Sequence, residues 1–159
     1  MYVKRTIHMK TIARYFIVVL VLSALVWLTA CERILSGTDR AAVLAFSEAA
    51  TDNLFAGFTT NDYAAFSRDF DTDMHEEIPA TNFADWKQDS DNKLGNYLSR
   101  KVDQVTQADE FYVVTYQAQF ELEEPVIVTV AFHVAQPHMI AFIAFDSEKA
   151  SWSAFQQRQ

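Results

Sequence analysis

Residues 110–121 read EFYVVTYQAQFE, and this stretch decides the fold. Large apolar side chains recur at every second position. Because successive side chains of a β-strand point to opposite faces of the sheet, this alternation predicts a strand with one buried face. The predicted buried face carries Tyr112, Val114, Tyr116, Ala118 and Phe120. The opposite face carries Val113, Thr115, Gln117 and Gln119.

Three further stretches flank this strand, near residues 97–106, 125–135 and 138–146. They are rich in β-branched and aromatic residues, and the connections between them are short enough for hairpins. We therefore expect an antiparallel four-stranded meander. The buried face of the third strand is predicted to carry Val126, Val128, Val130, Phe132 and Val134.

The last of these strands is apolar on both faces. One face carries Ile140, Phe142 and Ala144, and the other carries Met139, Ala141, Ile143 and Phe145. Since large exposed apolar patches are rare on monomers, the second face needs cover. A homodimer partner docked on the sheet would supply it, and Lys at Met139 or Ile143 would then give a folded monomer. The alternative cover is the C-terminal segment around Trp152 and Phe155.

Helical patterns precede the sheet. The first predicted helix begins at a cap, Thr38 or Asp39, and ends at Gly57. Its apolar positions recur at helical spacing and are Val43, Phe46, Ala50 and Leu54. A short second helix follows the capping sequence Thr60-Asn61-Asp62 and presents Tyr63 and Phe66. A third begins near Thr81, stops at Gly95 and presents Phe83, Trp86 and Leu94.

Helices followed by an antiparallel sheet give an α+β class. An Ala-rich first helix, a short Asn-Asp-Tyr helix and aromatic strands follow one another over residues 40–146. In this order and texture the segment resembles the nuclear transport factor 2-like fold. The resemblance implies N-terminal helices packed on a curved, cone-like, four-stranded antiparallel sheet. A cystatin-like or other helix-on-sheet packing is the alternative.

The resemblance also implies a ligand site inside the cone. Some members of that fold, such as ketosteroid isomerase, place an acidic base and a hydrogen-bonding Tyr there. The candidate residues, which either line such a pocket or pack a core, are Trp86, Tyr112, Tyr116, Phe120 and Phe132. No catalytic residue carries over position by position, and we expect no cofactor. Aromatic residues on strands pack cores far more often than they line cofactor sites.

The N-terminal residues have the pattern of an export signal. Residues 1–15 are basic without an acid, and the uncharged run at 16–27 is too short to span a bilayer. Leu28-Thr29-Ala30-Cys31 then resembles the lipobox of bacterial lipoproteins. The resemblance implies cleavage between Ala30 and Cys31 and attachment of Cys31 to the lipid bilayer through acyl chains. An uncleaved signal anchor is the alternative.

This interpretation divides the chain into a signal peptide (1–30), a lipidated tether (31–38) and a single α+β domain (39–159). It places the protein in the cell envelope, on the outer side of the cytoplasmic membrane or in the outer membrane. The residue after the cysteine is Glu32 and not Asp, which favours the outer membrane. Translation can begin at Met1 or Met9.

The chain is acidic, with 13 Lys and Arg, 21 Asp and Glu and a net charge of −8. Four of the basic residues precede Glu32, so the exported part has 9 basic and 21 acidic residues and a charge of −12. Repulsion from phosphate groups argues against nucleic acid as a partner, and we expect none. Cys31 is the single cysteine, so neither an intramolecular disulfide nor a cysteine-based zinc cluster can form.

Residues 69–77, DFDTDMHEE, gather carboxylates and an imidazole. An EF-hand loop that begins there needs Gly and Glu at positions that hold Met74 and Ala80 here. We therefore expect a solvated acidic turn and no metal site, with weak divalent-cation binding as the alternative. His133 is expected on the sheet face away from the helices, and His138 in a turn without a partner.

Together these observations favour a non-enzymatic, membrane-tethered module that binds a small apolar ligand or a protein partner. The alternative is an isomerase or hydrolase that uses a pocket acid. The predicted inward strand positions carry no carboxylate, which leaves helix acids such as Asp62 or Asp85 for that role. A third hypothesis is a structural envelope lipoprotein that acts through a dimer surface.

Overall fold

The structure is a computed structural model, and it describes residues 32–153. Helices α1 to α4 span Gly37–Thr60, Tyr63–Phe66, Thr72–Glu77 and Ala80–Leu94. Strands β1 to β6 span Arg33–Ile34, Tyr97–Ala108, Phe111–Phe120, Val126–His133, Ile140–Asp146 and Ser151–Ser153. The α+β class predicted from the sequence is confirmed.

The six strands form one antiparallel sheet in chain order, from β1 to β6. The prediction of four strands was therefore wrong at both edges. Arg33 and Ile34 pair with the end of β2, and Trp152 of β6 lies opposite Phe145 of β5. Strands of two and three residues are too short to show a period of two, so the sequence pattern did not indicate them.

The described part of the predicted tether is structured. Besides β1, it contains Leu35, which is buried and whose N–H donates to the carbonyl of Val105 at 2.8 Å. Ser36 is the N-cap of α1, so the expected caps Thr38 and Asp39 already lie inside the helix. The folded domain therefore begins several residues before the predicted boundary at residue 39.

Helix α1 runs past its predicted stop. It ends at Thr60, and Asn61 takes the left-handed conformation at φ 54°. Gly57 lies inside the helix, at the point where the backbone of α2 packs directly against α1. A Cβ at this position would lie 2.1 Å from the backbone nitrogen of Phe66. The glycine thus serves close packing of two helices and not helix termination.

The other helix boundaries largely follow the sequence. Asp62 caps α2 by accepting hydrogen bonds from the amides of Ala64 and Ala65 at 3.0 and 3.2 Å. Gly95 is the C-cap of α4, as expected. Helix α3 was not predicted, because the acidic segment was interpreted as a turn. Asp71 caps α3 by accepting from the amide of Met74 at 2.8 Å.

Strand faces follow the predicted alternation through β3 and β4. In β3 the side chains from Val114 to Phe120 alternate between buried and half-buried, and β4 does the same from Val126 to Val130. Strand β5 departs from strict alternation because of an irregularity beside the pairing of Phe132 with Ile140. The extra residue brings Ile140 to the same buried face as Ile143 and Phe145.

The two-sided apolar character of the last strand is thereby explained. Ile143 is fully buried, so the expectation that Lys at this position would give a folded monomer was wrong. Phe142 and Ala144 are the half-buried residues of β5 on the outer face, opposite Ala131 and Thr129. Trp152 packs against Phe145 on the inner face, and Phe155 lies outside the described residues.

Aromatic side chains fill the space between helices and sheet. The ring of Phe58 on α1 lies 5.1 Å from that of Trp86 and 5.8 Å from that of Phe145. Phe66 on α2 lies 4.6 Å from Phe83 on α4. No helix within residues 32–153 is both long and apolar enough to cross a bilayer.

Candidate functional site

The five candidate pocket residues separate into two groups. Trp86, Tyr116, Phe120 and Phe132 are 8%, 0%, 3% and 0% exposed and belong to the core. Tyr112 is half-buried and borders a surface cleft of about 270 Å³. We name it the Phe46 cleft; its lining residues are Arg33, Leu35, Asp39, Ala42, Val43, Phe46, Tyr112 and His138.

The floor of the Phe46 cleft is aromatic. The imidazole of His138 stacks on the ring of Phe46 at 4.1 Å and 15°, and the ring of Tyr112 lies 6.0 Å from Phe46. At the rim, Arg33 and Asp39 form an exposed ion pair at 3.3 Å. Asp39 is the one acid among the lining residues. The cleft therefore offers an apolar surface with a few polar groups at its edge.

His138 has partners, contrary to the expectation from sequence. Its backbone is left-handed at φ 61°, and its ring stacks on Phe46 of α1. Nδ1 donates to the carbonyl oxygen of His133 at 2.9 Å, since a carbonyl oxygen only accepts. In the neutral ring, Nε2 then keeps a lone pair with which to accept a hydrogen bond from a ligand.

A second polar site joins α1 to the sheet. The hydroxyl of Tyr116 donates to Oε1 of Glu48 at 2.8 Å and lies 3.1 Å from Oγ1 of Thr51. Arg100 on β2 donates to Oε2 of Glu48 at 3.3 Å and to Oδ1 of Asp52 at 2.8 Å. We call these five residues the polar clamp.

The environment of the clamp raises the pKa values of two of its members, Tyr116 and Arg100. Burial raises the pKa of the Tyr116 phenol above its usual value, the hydrogen bond from Thr51 opposes the rise, and the charge on Glu48 adds to it. Burial acts to lower the pKa of Arg100, but its bond to Asp52 and the charge of Glu48 outweigh burial and raise it. Tyr116 thus stays a neutral donor and Arg100 a cation.

The sequence does not indicate a role for Glu48, because its contact with Tyr116 spans 68 positions in the chain. One local signal was present: Ser47 and Thr51 place hydroxyl groups one turn apart on the buried face of α1. A buried hydroxyl on an otherwise apolar face indicates a polar partner across the interface. Thr51 has this partner in Tyr116, whereas the hydroxyl of Ser47 has none within residues 32–153.

The acidic segment serves local structure. Oδ2 of Asp69 accepts from the side-chain amide of Asn53 at 2.8 Å. Oδ2 of Asp71 lies 2.8 Å from Nε2 of His133, so His133 contacts the N-cap of α3, whereas it was expected to lie away from the helices. Within residues 32–153 no three of the His, Asp and Glu side chains are grouped as metal ligands. The prediction of a solvated turn was therefore wrong, because residues 72–77 form a capped helix.

The two helix acids considered for catalysis lie elsewhere. The side chain of Asp62 caps α2, and Asp85 is exposed on α4 and lines a groove together with Trp152. The lipobox Leu28-Thr29-Ala30-Cys31 lies outside the described residues. No protein-family model, curated protein or solved structure matches the chain.

Proposed function

We propose that this chain is a bacterial envelope lipoprotein, held at a membrane by acylated Cys31, with a non-enzymatic domain that binds a small apolar ligand. We further assign the domain to the nuclear transport factor 2-like fold. Helices that precede and cover one antiparallel sheet support that assignment. The proposed location is the outer side of the cytoplasmic membrane or the outer membrane.

The Phe46 cleft is the observation that carries the proposal. Ligand sites are concave and mainly apolar, with a few polar groups that set orientation. Leu35, Val43 and Phe46 supply the apolar surface, and Tyr112 and His138 supply the polar atoms. Asp39 is exposed and paired with Arg33, so the cleft lacks the desolvated carboxylate that a general base requires.

Blocking the cleft tests ligand binding. Ala42 is exposed on the cleft lining, and Ala49 is exposed on the same helix away from it, so Ala42→Trp and Ala49→Trp are matched substitutions. Native mass spectrometry of the full chain from membranes should show a bound mass in the parent and in Ala49→Trp. Ala42→Trp should lose it. If the mass spectra of all three samples show the protein without a bound ligand, the proposal is contradicted.

Fatty-acid labelling tests the membrane tether. Parent chain and Cys31→Ser are expressed with an alkyne fatty acid in a Gram-negative bacterium. The parent should carry the label, and Cys31→Ser should not, because Cys31 is the single thiol of the chain. Equal labelling of both chains would contradict the tether while leaving ligand binding by the domain open to its own test.

One observation favours the second candidate function, an isomerase or hydrolase. Glu48 and Tyr116 are an acid and a phenol in direct contact, although both Glu48 oxygens already have partners. Hydrolysis of p-nitrophenyl acetate and isomerisation of a β,γ-unsaturated ketone serve as assays. An enzyme would lose about 10²-fold or more activity in Glu48→Gln. The binding module should show no rate that depends on Glu48.

A homodimer through the outer face of the sheet is the proposed mode for a protein partner. Half-buried Val113 of β3 and Phe142 of β5 both lie opposite Ala131 of β4, so the three residues form an apolar row across three strands on this face. Light scattering should give twice the chain mass for the parent and a monomer for Phe142→Lys. Dimers in both samples would place the interface elsewhere.

A further inference from the structure

The outer side of α4 and strand β6 enclose a second groove, of about 330 Å³. Its lining residues are Asn82, Asp85, Trp86, Asp89 and Trp152, and we name it the tryptophan groove. Asn82, Asp85 and Asp89 are exposed and follow one another at intervals of three and four positions along α4. Residues at these intervals share one helix face, so their polar groups line the same wall.

Trp86 lies on the same face of α4, and Trp152 of β6 faces it across the groove. The rings of Trp86 and Trp152 lie 4.3 Å apart at 30°. Trp86 is nearly buried, because Phe58, Phe66 and Phe145 also pack on it, whereas Trp152 is partly exposed. Nε1 of Trp152 is buried without an acceptor within residues 32–153, so ring packing holds this indole in place.

The charge of the groove is negative and incompletely balanced. Asp89 pairs with Lys93 at 2.7 Å, but Asp85 has no ion pair with any residue from 32 to 153. The entire chain carries −8, so its long-range field attracts cations. An indole face beside a carboxylate is an environment that favours an organic cation over a neutral or anionic group.

We propose that the tryptophan groove binds the guanidinium group of an arginine side chain on a basic peptide segment of a partner protein. A guanidinium stacks on indole and donates several hydrogen bonds in one plane, which fits Trp152 together with Asp85 and the amide oxygen of Asn82. A quaternary ammonium group donates no hydrogen bond and leaves the carboxylate unsatisfied. This site is independent of the Phe46 cleft.

A peptide is the occupant because the groove is open. Its polar wall is exposed, so a free guanidinium ion would keep most of its water and gain little on binding. An arginine carried by a peptide adds contacts of its neighbours with α4 and β6. The peptide should therefore bind more tightly than methylguanidinium alone.

Intrinsic fluorescence reports on this site directly. The chain has three tryptophans, and Trp27→Phe leaves Trp86 and Trp152, both in the groove. The full chain with Trp27→Phe, in detergent, is titrated with acetyl-Gly-Gly-Arg-Gly-Gly amide. The same peptide with citrulline, a neutral group of nearly the same shape, is the ligand control. Methylguanidinium is titrated in parallel.

Saturable quenching by the arginine peptide is expected, with affinity about tenfold lower for the citrulline peptide, because the ion pair and the cation–π contact are lost. Asp85→Asn should weaken arginine binding about three- to fivefold. Glu76→Gln, which removes an exposed charge on α3, should not change it.

Three results would overturn the proposal. Equal affinity for the arginine and citrulline peptides would show that charge is not recognised. An equal effect of Asp85→Asn and Glu76→Gln would show general attraction to an acidic protein. If methylguanidinium binds as tightly as the peptide, the groove is a site for a free small cation and not for a peptide. Circular dichroism of both variants verifies that they fold.

Discussion

Replacing Tyr116 by Phe removes one hydroxyl group from the polar clamp and leaves the ring. The hydroxyl donates to the charged oxygen of Glu48 at 2.8 Å and contacts Thr51 at 3.1 Å. The ring keeps its packing in the core and its position 5.1 Å from the guanidinium of Arg100. The substitution therefore isolates the hydrogen bonds from burial of the aromatic side chain.

The free energy of unfolding should fall by about 1.5–3 kcal/mol, which is the usual contribution of a hydrogen bond to a charged group. The substitution leaves the Glu48 carboxylate without one of its donors. For a domain of this size, each kcal/mol lowers Tm by about 4 °C, so Tm should fall by about 6–12 °C. Tyr112→Phe is the control, because the contacts of half-buried Tyr112 within residues 32–153 are ring contacts with Phe46 and His138. It should change stability by less than about 0.5 kcal/mol.

Urea unfolding followed by circular dichroism measures both losses. A double-mutant cycle with Glu48→Gln then isolates the coupling between the phenol and the carboxylate, which should exceed about 1 kcal/mol for residues in direct contact. Equal effects of Tyr116→Phe and Tyr112→Phe would refute the clamp as a link between α1 and the sheet.

Three further predictions concern packing, capping and pH. Gly57→Ala should destabilise the fold by about 1–3 kcal/mol in thermal unfolding, although Ala is the better helix former, since the new Cβ meets the backbone of Phe66. Asp71→Ala should cost about 1–2 kcal/mol by the same assay, because the cap of α3 and the bond to His133 are both lost. Tyr116 has a folded pKa above its ordinary value of 10.0, so its contribution is complete below pH 10 and declines as pH rises further. The stability difference between the parent and Tyr116→Phe should therefore shrink above pH 10.

The local sequence pattern was sufficient to predict the elements whose structure depends on residues close in sequence. The alternation of apolar residues predicted β3, and the glycine at position 95 predicted the end of α4. Strands β1 and β6 carry no such pattern, because pairing with a neighbouring strand, and not composition, makes two or three residues extended. Gly57 was misassigned for the same reason, since its role depends on where α2 returns to α1.

The candidate sites depend still more on distant contacts. Tyr112 was among the candidate pocket residues, but the Phe46 cleft also needs Arg33, Phe46 and His138, which three separate segments supply. The register of β5 shows the same limit. Strict alternation placed Ile140 and Ile143 on opposite faces, and one extra residue opposite β4 puts both in the core.

The intact mass of the chain purified from membranes tests the lipoprotein assignment most directly. We expect a protein that begins at Cys31, lacks residues 1–30 and carries the added mass of a diacylglyceryl group, with or without a third acyl chain. A chain that begins at Met1 or Met9 with an unmodified Cys31 would contradict it.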